Sequence, residues 1–102
     1  MVYKVIWSPL ALHTYISNIE YLETAWTERE VRNFIASVKR RLLILSSQPQ
    51  TRRITNLRKN IRKTVIHKRV ILIYRVKPMK HEIELLYFFN TRRRPGRPPG
   101  LK

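Results

Sequence analysis

Two apolar runs set five residues apart constrain this chain most. The first is Val70-Ile71-Leu72-Ile73-Tyr74-Arg75-Val76; the second is Glu82-Ile83-Glu84-Leu85-Leu86-Tyr87-Phe88-Phe89. Both are too short for typical helices and rich in β-branched and aromatic residues, so both read as strands. Lys77-Pro78-Met79-Lys80 supplies the turn, and a link this short permits only antiparallel pairing. The first run carries the most apolar side chains and belongs at the centre of a sheet. Arg62-Lys63-Thr64-Val65-Ile66-His67-Lys68, alternating and basic, adds a third strand ahead of it. Three strands with short connections form an antiparallel meander.

The N-terminal part changes period. Val2–Trp7 alternates and reads as a strand. Ser8-Pro9 is a helix start, a capping hydroxyl followed by proline at the first helical position. Leu12, Tyr15, Ile16, Ile19 and Leu22 then recur at helical spacing and predict one apolar face. Thr27-Glu28-Arg29-Glu30 has the form of a capping box, and Val31, Phe34, Ile35, Val38, Leu42 and Leu45 mark the buried side of a second helix. Ser46-Ser47-Gln48-Pro49 ends it. Two helices joined this tightly form an antiparallel hairpin. The expected fold class is therefore α+β: an N-terminal strand, a two-helix hairpin packed on one sheet face, and the three-stranded meander. The segment 50–60 fits a loop, a short helix or an extra strand equally well. Residues 1–90 form a single domain and 91–102 a basic, proline-rich tail.

Charge narrows the partners. Lys and Arg number 22 against six acids, all of them glutamates, for a formal net charge of +16. No acid occurs between Val31 and His81. Such a field attracts nucleic acid, anionic lipid or an acidic protein. There is no cysteine, which excludes disulfides and thiolate metal sites. No apolar stretch approaches the ~18 residues of a membrane span, and the N-terminal residues lack the features of a signal peptide. A cytoplasmic location without membrane attachment is expected.

Catalytic signatures are scarce. The two glycines, Gly96 and Gly100, both lie in the tail, so no phosphate loop is present. His13, His67 and His81 lack ligand spacing and no aspartate accompanies them; neither metal nor cofactor is expected. Ser8 reads as a helix cap rather than a nucleophile, and Glu82 and Glu84 as counter-charges. Metal-free RNA cleavage by basic residues is the one enzymatic option, with His67, Lys68, Arg69, Arg75 and Arg92 as candidates. The bland alternative is that these residues hold a partner's charge or are solvated. Tyr74 reads as core, with its hydroxyl at an edge. Arg94-Pro95-Gly96-Arg97-Pro98 approaches a minor-groove hook in scrambled order; a phosphate-gripping arm fits it better.

Taken in order, the strand, the Ser8-Pro9 helix start and the segments ISNIEYLETAW, FIASVKRRLLILSSQP, VILIYRV and EIELLYFFNTRRRP resemble the RelE/ParE superfamily of bacterial toxins over roughly residues 3–95. The ParE-like branch is the closer match. Its members show a helical hairpin with a Y-x-x-x-W segment (here Tyr21 to Trp26, one residue longer). They also share an L-x-x-x-P helix end (Leu45 to Pro49), an LYRV-type central strand (Ile73 to Val76) and an arginine motif after the last strand (Asn90-Thr91-Arg92-Arg93).

That resemblance implies the toxin of a type II toxin–antitoxin pair, of the kind found in plasmid stabilisation. Such a toxin is wrapped by a cognate acidic antitoxin, and the complex, rather than the toxin alone, contacts operator DNA. ParE-like relatives bind DNA gyrase without catalysis. RelE-like relatives are ribosome-dependent mRNA endonucleases. They carry an arginine three residues before the central tyrosine and a tyrosine near the C-terminus. Here the first position is Ile71, and no tyrosine or histidine follows Tyr87. The expectation is a gyrase-binding toxin, not an enzyme, with Arg75, Arg92, Arg93 and Arg94 contacting target or antitoxin. The alternatives are the mRNA endonuclease using His67, Lys68, Arg69 or Arg75, and a plain basic nucleic-acid-binding protein.

Overall fold

A computed structural model describes residues 2–25, 27–49, 53–56, 59–67 and 70–91. Strand β1 (Lys4–Trp7) leads into helix α1 (Pro9–Ala25), helix α2 (Glu28–Ser47) and strands β2 (Arg53–Asn56), β3 (Ile61–His67), β4 (Val70–Lys77) and β5 (Glu82–Asn90). The sheet order is β1-β5-β4-β3-β2. The α+β class, the helical hairpin and the β3-β4-β5 antiparallel meander are as the sequence predicts. Two features go beyond it. β1 joins β5 in parallel, making the sheet mixed, and the open segment contributes a fourth antiparallel partner, β2, beside β3.

Local chemistry explains the element ends. Ser8 Oγ accepts from the Ala11 amide at 3.0 Å and caps α1. Thr27 Oγ1 accepts from the Glu30 amide at 3.3 Å and caps α2, while the Gln48 amide closes the last turn on the Ile44 carbonyl. The β4–β5 link is one 3-10 turn, Pro78–Lys80, and His81 leaves it in the left-handed region at φ 53°. A non-glycine residue tolerates that position at modest cost.

Both helices cover the same face of the sheet. Phe34, Val38 and Leu45 of α2 meet Leu72, Tyr74 and Val76 of β4 and Ile83, Leu85 and Phe88 of β5 in one core. Burying such side chains stabilises by roughly 1.5–3 kcal/mol each. Tyr74 is fully buried and donates its hydroxyl to the Pro49 carbonyl at 3.0 Å, which ties the end of α2 to the central strand.

The face of α1 departs from expectation. Leu12 and Ile16 are 50% and 46% exposed, whereas Ala11, Thr14 and Asn18 are buried. The helix is turned about one residue from its apolar stripe because polar groups of α1 serve β5. Thr14 Oγ1 accepts from the Phe88 amide at 2.9 Å, and Ser8 Oγ donates to the Leu86 carbonyl at 3.1 Å. The small residues let the helix lie close enough for these bonds. The Leu22 side chain lies outside the described set.

Those two bonds fall on an irregularity. β5 pairs Leu85 with Tyr74 and Tyr87 with Ile73, so Leu86 is an extra residue. A bulge of this kind disrupts the ladder and leaves its backbone groups needing other partners; α1 provides them. Strand β3 has a second bulge, between Val65 and His67.

Candidate binding face on the open side of the sheet

The bulges decide which side chains face where. Side chains alternate across a strand, so one inserted residue moves everything beyond it to the opposite face. In β5, Ile83 and Leu85 point at the helices; beyond the bulge Phe88 does, and Tyr87 and Phe89 turn to the other side. In β3, Arg62, Thr64 and Ile66 are buried against the helices, and the bulge turns His67 the same way, opposite buried Val70.

Among the described residues nothing packs over the side away from the helices. Its residues form rows across the strands by register. Val65, Ile71 and Phe89 lie side by side, then Lys63, Ile73 and Tyr87, then Ile61, Arg75 and Glu84, with Ile6 of β1 beyond. Lys77, Glu82 and Lys4 close that end. The face is an apolar and aromatic strip with cations along it. Val65 is 55% exposed and Lys4 is exposed, and the other members of the strip are half-buried.

Glu84 sets the electrostatics of one end. Its Oε1 lies 3.5 Å from Arg75 Nη1 and 3.4 Å from Lys77 Nζ. One carboxylate between two cations leaves a net positive charge there, with Lys63 farther along the strip. Arg75 Nε is buried without a hydrogen-bond partner among the described residues. Burial pushes the Tyr87 phenol above its ordinary value, so at neutral pH it is protonated and acts as a donor rather than a base.

Of the residues suggested for RNA cleavage, the two described ones, His67 and Arg75, do not come together. His67 is on the helix side, its side chain only 14% exposed, whereas Arg75 is on the open side; the sheet separates them. His67 packs edge-on against Phe34 with centroids 6.3 Å apart. Its Nε2 lies 3.8 Å from Glu30 Oε1 and its Nδ1 3.5 Å from Ser37 Oγ. A serine, a histidine and a glutamate in line have the order of a nucleophile, base and orienting acid, but both contacts are long. Ser37 also sits inside α2, where backbone N–H groups are spent on the helix and none is free to hold an oxyanion. The cluster is a polar tie between α2 and β3. Lys68, Arg69, Arg92, Arg93 and Arg94 lie outside the described residues.

Ile71 occupies the middle of the first row of the open face, between Val65 and Phe89. An aliphatic side chain there offers nothing to a phosphate. Among the described residues no group of histidines and carboxylates could hold a metal ion, and no helix is long and apolar enough to cross a membrane.

Reading the sequence missed the open face as a unit. β3 alternates in sequence, but β4 is apolar from Val70 to Tyr74 and β5 from Leu85 to Phe89, and runs of five apolar residues leave both faces available. The doubled leucine and aromatic run was the available signal. No protein-family model matches the chain, and no curated protein matches it.

Proposed function

We propose that this protein is the toxin of a type II toxin–antitoxin pair, similar to the ParE-like branch, which binds its target rather than cutting it. DNA gyrase is the proposed target, and an acidic antitoxin is the proposed neutralising partner. Operator DNA would be contacted by the complex, and the site of action would be cytoplasmic. The observation that carries this reading is the open sheet face. It presents Ile71, Ile73, Tyr87 and Phe89 with Lys63, Arg75 and Lys77 alongside, and its described residues include no histidine. Apolar anchors with cations beside them suit an acidic protein surface, where aromatic side chains contribute affinity and charge contributes on-rate. The arginines that follow β5, Arg92, Arg93 and Arg94, extend the positive charge in sequence.

The test is induced expression in bacteria, with DNA and protein synthesis followed separately by label incorporation. A fall in DNA synthesis first, with induction of the SOS damage response, is the expected result. A variant with Arg92, Arg93 and Arg94 changed to glutamate should fold normally and lose toxicity; full toxicity in that variant would sink the assignment.

One observation favours the endonuclease alternative. Lys63, Arg75 and the protonated Tyr87 share the open face, and cations with a neutral phenol can stabilise a phosphate and donate a proton. Cleavage of mRNA on purified ribosomes, with protein synthesis falling first, would select it.

A further inference from the structure

The outward face of α2 carries a second cationic surface, on the opposite side of the molecule from the open sheet face. Val31, Phe34, Val38 and Leu45 turn inward, which leaves Arg29, Arg32, Asn33, Ala36, Lys39 and Arg40 exposed along one arc of the helix. The four cations fall into two pairs. At 1.5 Å rise per residue the midpoints of Arg29/Arg32 and Lys39/Arg40 lie about 13 Å apart along the axis. Between them stand only the short side chains of Asn33 and Ala36, so a rounded partner can approach the helix closely.

The charges are available. Arg29 and Lys39 make no ion pair among the described residues. Arg32 meets Glu28 at 3.5 Å in a pair whose side chains are mostly in water, a contact that competes weakly with a phosphate. Arg40 donates one hydrogen bond, to Ser37 Oγ at 3.4 Å, and keeps its other N–H groups. After Glu30 the helix contains no acid.

We infer that this face binds double-stranded DNA through the phosphates on the two rims of the major groove. The groove is about 12 Å wide, close to the separation of the two cation pairs, and long arginine and lysine side chains take up the difference. Because α1 lies beside α2, the helix bridges the groove rather than entering it. Binding is therefore independent of base sequence. A membrane surface fits less well: an interfacial helix needs several apolar anchors beside its cations, and this arc offers one large exposed apolar side chain, Leu43, with none between the two cation pairs. Duplex RNA fits less well too, since its major groove is narrow. This inference is independent of the toxin reading, because it concerns a different face and needs no antitoxin.

The experiment compares the full chain with two variants of equal charge change. One is Arg29→Gln, Arg32→Gln, Lys39→Gln and Arg40→Gln; the other, off α2, is Lys4→Gln, Lys63→Gln, Lys77→Gln and Lys80→Gln. All eight positions are exposed or half-buried, and circular dichroism establishes that each variant is folded. Affinity for a 20-base-pair duplex of arbitrary sequence is measured by fluorescence anisotropy over a range of salt. Each phosphate contact contributes roughly 0.9 to the slope of log K against log salt. The α2 variant should lose about 3 to 4 units of slope and the control less than about 1. The basic tail contributes equally to both. Equal losses in the two variants would overturn the inference, as would an unchanged slope in the α2 variant. So would binding of single-stranded DNA, duplex RNA or phosphatidylserine vesicles as tight as that of duplex DNA.

Discussion

Replacing Thr14 with valine isolates the bond on which the aim of the binding face depends. Valine keeps the shape and β-branching of threonine, so packing of α1 and its helix propensity change little. What disappears is the Oγ1 that accepts from the Phe88 amide at 2.9 Å. That amide belongs to a fully buried residue just past the bulge at Leu86. Leaving a buried donor unmet costs about 1–3 kcal/mol. For a domain of this size each kcal/mol moves the thermal midpoint by about 4–8 °C, so a drop of about 4–24 °C is expected, with an unchanged urea m-value. Thr14→Ser keeps the acceptor and loses one methyl, about 0.8 kcal/mol. Amide hydrogen exchange separates the two: the Phe88 amide should lose protection in the valine variant and keep it in the serine variant. Unchanged protection in Thr14→Val would show that the bulge does not lean on α1, and the account of how Tyr87 is turned outward would fail with it.

Other outcomes follow from single contacts. Tyr74→Phe removes the hydroxyl that bonds the Pro49 carbonyl and should cost about 1 kcal/mol in urea unfolding without altering toxicity. His67→Gln loosens the tie to Glu30 and Ser37; growth arrest should persist while stability falls by about 0.5–1.5 kcal/mol, and loss of arrest in a folded variant would return His67 to the list of catalytic candidates. Burial raises the phenol values of both Tyr15 and Tyr87. The folded state holds those protons more tightly than the unfolded one, so their contribution to stability is complete below the ordinary tyrosine range and is lost as pH rises through the raised values. Absorbance at 295 nm should show a late-ionising component that is reduced in Tyr15→Phe and in Tyr87→Phe.

Much of the architecture is legible in local chemistry. The Ser8-Pro9 and Thr27-to-Glu30 starts predict helix beginnings because side-chain oxygens are needed where backbone N–H groups lack partners, and both caps form. The stripe Val31, Phe34, Ile35, Val38, Leu42 and Leu45 predicts the buried face of α2 because only that side meets the sheet; Ile35 and Leu42, at its margin, are partly buried. The run Val70–Val76 predicts the central strand because its even positions need cover from the helices. The α1 stripe is misleading for an equally physical reason. Its apolar residues at helical spacing announce a buried face, but Thr14 and Ser8 are required by β5, and the helix turns to serve them.

The sequence by itself determined the class of fold, the order of its elements apart from β2, the central strand and the sign of the charge. These depend on the period of apolar residues and on end chemistry within a few positions of each other. Tertiary structure alone decided which side chains share a surface. One extra residue at Leu86 sends Tyr87 and Phe89 to the open face and Phe88 to the core. A second irregularity, at Ile66, turns His67 inward and away from Arg75. Pairing β1 with β5 brings Lys4 and Ile6 beside Glu82 and Glu84, from the far end of the chain. A bulge is stabilised by partners distant in sequence, here Thr14 of α1 and its capping residue Ser8, so no window of neighbouring residues contains the information that places it.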